Sequence, residues 1–302
     1  MSVAGITDDI LADGLTRIAR EVDSGFDRLL PVPDDARARL IEAMRYAVIG
    51  GGKRVRPLLL TATAEMYGVN REAALRAGLA IEAIHAYSLI HDDLPCMDDD
   101  ELRHGKPTVH RAFDEATAVL AGDALHAFAF EVLADLATSG DPFTRIELVM
   151  TLGAASGAAG MAGGQMMDIA AETTSFDLQG VTRLQQLKTG ALLGAAVEMG
   201  AILGKVPVEG RAPLRGYARD IGLAFQIADD LLDHEGDEAL AGKALRKDDG
   251  AGKQTFVSLL GPERARNQAR ALVDQAIAHL GQHGSEADLL RALARYIVER
   301  DR

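Results

Sequence analysis

Apolar positions along this chain recur at spacings of three and four, and sustained two-residue alternation is absent. Such a period lines up apolar side chains on one face of an α-helix. It predicts helices over 7–30, 34–49, 55–67, 71–93, 110–138, 142–160, 162–172, 177–204, 211–235, 262–282 and 285–299. Breaks fall at Pro31/Pro33, Gly50-Gly51-Gly52, Gly68, Pro95, Gly140/Pro142, Gly204/Pro207 and Gly261/Pro262, residues that end regular structure. Asp34 and Asp141 stand where N-caps are needed, the latter directly before Pro142. The small residues between Gly153 and Gly164 predict close helix packing. The charged, glycine-rich stretch 236–256 reads as a loop rather than a boundary. Residues 1–302 are therefore expected to form one all-α domain, a helical bundle.

Composition narrows the function. The chain has 302 residues, is 48% hydrophobic and carries a net charge of −13. An acidic protein lacks the basic face that nucleic acid demands, so no nucleic-acid partner is expected. The single cysteine, Cys96, precludes an intrachain disulfide and fits a reducing compartment. Eight scattered histidines with one cysteine argue against a structural zinc site. No run is judged to reach the roughly 20 apolar residues that span a bilayer. The first nine residues lack a basic flank and an apolar stretch, so they are not expected to be a signal peptide. A cytoplasmic location follows as the expectation.

Two aspartate clusters break the apolar pattern. The first, Asp92-Asp93-Leu94-Pro95-Cys96-Met97-Asp98-Asp99-Asp100, ends one apolar helix. The second, Asp229-Asp230-Leu231-Leu232-Asp233, ends another. Carboxylates at the edge of a hydrophobic interior are costly unless a cation joins them, and Mg²⁺ is a hard ion that takes oxygen ligands. Asp229 and Asp233, four apart, share a helix face, whereas Asp230 points elsewhere. Asp92 and Asp98, six apart, would diverge by about 120° on a straight helix. Pro95 disfavours helix at Leu94 and lets the chain turn Asp98 back towards Asp92. The ligand alternation and central glycine of an EF-hand calcium loop are missing.

Cations complement these carboxylates. Gly50-Gly51-Gly52-Lys53-Arg54-Val55-Arg56-Pro57 sets three basic residues after three glycines, which let backbone approach an anion. It is not a phosphate-binding P-loop of the Walker type. Arg103, His104 and Lys106 follow the first acidic cluster. Lys188-Thr189 interrupts an apolar helix, and Lys243 and Lys253 flank the loop after the second cluster. His85 lies two helical turns before Asp92. Gln165 and Asp168 stand three apart, where they could orient Lys188 or a bound water.

In this order and spacing the motifs resemble the trans-isoprenyl diphosphate synthases, the farnesyl and geranylgeranyl diphosphate synthase family. The likeness runs from the Gly-Gly-Gly-Lys-Arg turn through His85, both aspartate motifs, Gly164-Gln165, Lys188-Thr189-Gly190 and Phe225-Gln226 to Tyr296–Arg300. It implies an antiparallel helical bundle around a deep cavity, a homodimer, and magnesium-dependent joining of isopentenyl diphosphate to an allylic diphosphate. It implies three Mg²⁺ per site, held by Asp92, Asp98, Asp229 and Asp233. The allylic diphosphate would lie against Arg103, Lys188, Thr189, Gln226, Lys243 and Lys253. Isopentenyl diphosphate would lie against Lys53, Arg56, His85 and His104. The resemblance also implies that Asp92, Asp98, Lys188 and Asp229 would carry the ionisation. One departure stands out: relatives usually carry a second arginine where this chain has His104, which lacks a bidentate fork.

Product length would be set beneath Asp92. Tyr87 and Ser88 lie five and four residues before it, roughly 6–7.5 Å deeper along the helix. An aromatic Tyr87, with the two extra residues in the first motif, resembles bacterial farnesyl synthases and implies a C15 product, with C20 as the alternative. Phe128, Met161 and Phe225 are candidates for the cavity wall, the first two being more readily ordinary core. A terpene cyclase would not need Lys53, Arg56 and His85. A non-catalytic partner subunit would not need two complete aspartate motifs.

Overall fold

The computed structural model describes residues 3–235 and 254–299. Helices α1 (Val3–Leu29), α2 (Ala38–Val48), α3 (Val55–Met66) and α4 (Arg71–Asp92) come first. A two-stranded hairpin, β1 (Leu102–Arg103) and β2 (Lys106–Pro107), interrupts them. Then follow α5 (Val109–Ala112), α6 (Glu115–Ala134), α7 (Pro142–Ser156), α8 (Met161–Ala171) and α9 (Leu178–Gln185). A π-helical turn, Gln186–Gly190, leads into α10 (Ala191–Leu203) and α11 (Ala212–Glu235). The end of the chain supplies α12 (Phe256–Leu260), α13 (Pro262–His279) and α14 (Asp288–Glu299).

α4 is apolar on nearly every side, and such a helix must be buried. It packs against α6, α3, α1, α10 and α2. Asn70 caps its start, accepting from Glu72 N at 2.9 Å and Ala73 N at 3.3 Å. α11 packs against α13, α10, α14 and the π turn. One cluster of buried apolar side chains includes residues from Leu11 to Ile297.

Several expectations change. The helix expected over 34–49 begins only at Ala38, with Arg37 at the cap position and no side-chain cap bond, so Asp34 does not cap it. The neighbouring Asp35 instead accepts from Arg37 N at 2.9 Å. Asp141 does cap α7, accepting from Phe143 N at 3.0 Å ahead of Pro142. The single helix expected over 110–138 is two, because Asp114 restarts it by accepting from Thr117 N at 2.7 Å. The hairpin, the π turn and α12 carry no periodic signal and were not expected. Three helical stretches, Arg71–Asp92, Glu115–Ala134 and Pro142–Ala171, are long and apolar enough to cross a membrane by length and composition, contrary to expectation. Alanines and glycines complete these runs between the larger apolar residues. In the fold α4 spends its apolar surface on the protein core, where Ile81, Ile84 and Leu79 are fully buried.

Candidate active site

The first aspartate motif begins where α4 ends. Asp98 N donates to Asp92 O at 2.8 Å, and Asp99 N donates to Leu94 O at 3.2 Å. Pro95 thus sits in a tight turn that folds Asp98 back to Asp92, as its position predicts. Asp99 closes the turn in the left-handed region, with φ 48°. Burial pushes the Asp92 carboxyl up to about 6; Asp98 and Asp93 add to the shift, while Lys188 and Arg103 oppose it. Asp93 is only 2% exposed and accepts from Arg103 Nε at 3.1 Å. Asp100 also accepts from Arg103, at 3.1 Å. Arg103 is therefore held by acidic neighbours at the mouth of the site. Asp93 is the partner that sequence reasoning passed over, since any aspartate in the run could have filled that place.

Lys188 and Thr189 project from the π turn. A π turn inserts one extra residue into a helix and redirects the side chains around it. Lys188 Nζ donates to Asp168 Oδ2 at 2.7 Å, so Asp168 does orient the lysine. The turn can approach α8 closely because of Gly164: a Cβ there would lie 2.2 Å from Lys188 N. This is the close packing that the small residues predicted. Thr189 Oγ1 donates to Gln226 Oε1 at 3.3 Å, and Gln226 Nε2 donates to Asp230 Oδ1 at 2.9 Å. Asp230 also accepts from Phe256 N at 2.9 Å, tying α11 to α12. Asp230, 5% exposed, thus directs its carboxylate to protein partners. Lys243, Lys253 and Arg300 lie outside the described residues.

The glycine turn comes next. Gly50 and Gly52 have φ of 74° and 75°, a region that favours glycine. Of the three cations after them, Arg54 is structural. It is 6% exposed and donates to Glu82 Oε1 at 2.8 Å, Asp23 Oδ1 at 2.9 Å and Val48 O at 2.6 Å. Lys53 lies 5.8 Å from the centre of the Tyr296 ring on α14. Arg56 is half-buried, its pKa lowered by burial, which Glu82 and Asp229 oppose. Its Nε is buried with no hydrogen-bond partner. A buried donor left unpaired is costly, and an incoming anion would satisfy it. His85 lies beside Arg56, and burial first, then Arg56, holds its imidazole well below the usual histidine range.

The hairpin places His104 over this turn. A Cβ on Gly51 would lie 3.4 Å from His104 Nδ1, and one on Gly52 3.5 Å from His104 Cε1. Burial, then Arg103 and Arg54, lower the His104 pKa. Lys106 approaches Gly50 in the same way, within 3.4 Å of a Cβ there. Glu82 was also missed, although a carboxylate inside an otherwise apolar helix was a signal.

Among the described residues, no three acidic, histidine or cysteine side chains stand close enough to form a ready-made metal site. The donors still suit magnesium. Asp92, Asp98, Asp229 and Asp233 offer only oxygen, and Asp92 is a half-buried carboxylate beside like charges, whose ionised form a divalent cation would stabilise. Ser88 Oγ donates to His85 O at 2.8 Å. Phe128 is 9% exposed and packs 6.2 Å from Phe26, and Met161 is 6% exposed, so both belong to the core.

Comparisons with known proteins show the family. The polyprenyl synthetase family model matches residues 37–296. The chain is 46% identical over 269 residues to the farnesyl diphosphate synthase of Escherichia coli (strain K12), covering 87% of this chain and 90% of that one. It is 59% identical to an FPP/GFPP synthase structure from Zymomonas mobilis, with a TM-score of 0.88 over 95% of this chain and 98% of that one. It is 34% identical to a geranyltransferase from Helicobacter pylori solved with magnesium and isoprenyl diphosphate, with a TM-score of 0.78 over 95% and 96% of the two chains. The chain belongs to the polyprenyl synthetase family and is a prenyltransferase. The family is magnesium-dependent and takes isoprenyl diphosphates.

Proposed function

We propose that this enzyme condenses isopentenyl diphosphate head-to-tail with dimethylallyl or geranyl diphosphate to give farnesyl diphosphate. The observation that carries the reading is the division of charge around the site. Acidic motifs stand at the ends of α4 and α11. Two separate basic groups accompany them: Arg103 and Lys188, which already meet Asp93, Asp100 and Asp168, and the turn that carries Lys53 and Arg56, with the uncharged imidazole of His85. A cyclase has one diphosphate to hold, and here there are places for two.

Asp92, Asp98, Asp229 and Asp233 would hold the metal, three ions per site. Bound magnesium supplies positive charge that offsets the charge building on the departing diphosphate. Lys188 and Arg103 would contact the same oxygens, with Thr189, Gln226, Lys243 and Lys253 completing the allylic site. Asp168 fixes Lys188, so its ammonium needs little reorganisation when the allylic C1–O bond breaks. Lys53, Arg56, His85 and His104 would hold isopentenyl diphosphate so that its C4 reaches the allylic C1. A new C–C bond forms, the C2 proton leaves, and the released diphosphate accepts it.

The Zymomonas relative's name covers both FPP and GFPP, which makes product length the point to test. Mass analysis after incubation with Mg²⁺, labelled isopentenyl diphosphate and each allylic starter should show a C15 product. Geranyl diphosphate supplied alone should give no hydrocarbon, and a hydrocarbon there would mark a cyclase instead. Tyr87→Ala should lengthen the product; an unchanged spectrum counts against Tyr87 as the floor.

The enzyme would act as a homodimer through α6 and α7, adjacent helices whose outer faces expose Leu120, Phe143, Ile146 and Met150. Phe143 is 80% exposed, and a patch of this kind marks an interaction surface. A cytoplasmic location suits its lone thiol, Cys96, which is exposed and unpaired.

A further inference from the structure

Tyr87 does not stand alone beneath Asp92. Its ring is edge-on to His91, with centroids 5.7 Å apart and planes at 77°. On its other side it is edge-on to His126 of α6, at 5.0 Å and 89°. His126 in turn meets Phe130 at 5.2 Å and 64°. Four rings thus form a continuous row from α4 into α6. Both ends are anchored. His91 Nε2 lies 3.1 Å from Val119 O, and its ring fills the space that a Cβ on Gly122 would need, 2.1 Å from Nε2. Phe130 reaches α7, where its ring lies 3.8 Å from a Cβ built on Gly153.

A lone tyrosine on a helix is a weak floor, because rotation about its first side-chain bond moves the ring aside. A growing isoprenoid tail that presses on Tyr87 is resisted only as strongly as that rotamer is held. Each edge-to-face pair holds it by a further factor of about 2 to 10. His91 lies one turn nearer to Asp92 on the same helix, so it cannot support the ring from the far side. His126 belongs to a different helix and makes the shortest and most nearly perpendicular contact in the row.

We propose that His126 is a positioning residue for product length, bracing the Tyr87 ring across the path of the growing chain. The inference rests on the synthase reading and on Tyr87 as the floor. His126 itself touches neither the diphosphates nor the aspartates.

The test is the product spectrum of His126→Ala with Mg²⁺, labelled isopentenyl diphosphate and geranyl diphosphate, read beside Tyr87→Ala and His126→Phe. In His126→Ala the ratio of longer products to the wild-type product should rise by about 2- to 10-fold, consistent with the loss of one ring pair. The KM for each substrate should stay within about 2-fold of wild type, since no binding group is altered. His126→Phe retains an edge-on ring and should restore the wild-type length. His126→Gln serves the same purpose as His126→Ala if the latter does not fold. The brace is overturned if His126→Ala or His126→Gln gives the wild-type spectrum while Tyr87→Ala lengthens the product. It is also overturned if His126→Phe lengthens the product as much as alanine does. An unchanged spectrum in Tyr87→Ala as well would defeat the floor reading itself.

Discussion

Asp92 shows what a metal site costs a protein before the metal arrives. Its carboxyl moves from 3.8 to about 6, chiefly through burial, which disfavours the charged form by roughly 3 kcal/mol at neutral pH. The native state holds this proton more tightly than the unfolded chain does. The penalty is therefore absent below about pH 4, grows from there to about pH 6, and is complete above it. Asp92→Asn should accordingly raise the metal-free unfolding free energy at pH 8 by about 1–3 kcal/mol while lowering kcat about 10²- to 10³-fold. Denaturant melts at pH 8 and pH 3.5 check it: the gain should all but vanish at the lower pH, below both values of the Asp92 pKa. His104 poses the opposite question. Its pKa is lowered, so the ring is mostly neutral at pH 7, whereas a bound diphosphate favours the charged form. The KM for isopentenyl diphosphate should fall as pH drops from 8 to 6. His104→Arg should remove that dependence and tighten binding by about 10-fold, in line with one added charge-assisted bond. A KM that arginine leaves unchanged at both pH 7 and pH 8 would refute a role for His104 in binding.

Elements decide where these residues stand. The π turn lets Lys188 and Thr189 leave one helix towards two partners, Asp168 on α8 and Gln226 on α11. Its seat is Gly164, since any side chain there meets Lys188 backbone at 2.2 Å. Gly164→Ala should push the turn away, lower stability by about 1–3 kcal/mol and cut kcat/KM for the allylic substrate about 10²-fold. Conserved stability with conserved kinetics would show that the turn is not held there. Helix content was legible because the 3.6-residue period extends over most of the chain. The hairpin at 102–107 was not, since two-residue strands contain no period. Nor was the π turn, because Gln186–Gly190 reads as ordinary helix until a partner across it is known. Asp34 and Asp35 are equally good caps by type, and the chain uses Asp35 to bind Arg37 instead.

At the scale of the whole molecule, the interior is closed by apolar side chains while the outer faces of α6 and α7 remain apolar. Phe143→Glu combined with Met150→Glu places charge on both exposed positions and should convert the proposed dimer to a monomer, seen by light scattering as a halved mass. Helical content by circular dichroism should be unchanged, because neither side chain is buried in the protomer. A mass that the double variant does not alter would direct the dimer interface elsewhere.

The sequence by itself determined the helices, the two acidic motifs, the glycine turn and the turn at Pro95, because each depends on spacing and backbone preference within a few residues. It also carried the family likeness, which is a matter of order along the chain. Tertiary structure alone decided which charges are structural. Arg54 and Arg56 are two residues apart, yet one is spent on Glu82 and Asp23 while the other keeps a buried Nε unpaired. Asp230 accepts from Gln226 and from the start of α12, contacts that its place beside Asp229 in the sequence does not foretell. The physical reason is that a charged group takes its role from the partner and the dielectric around it. Those are supplied by helices far away in the chain.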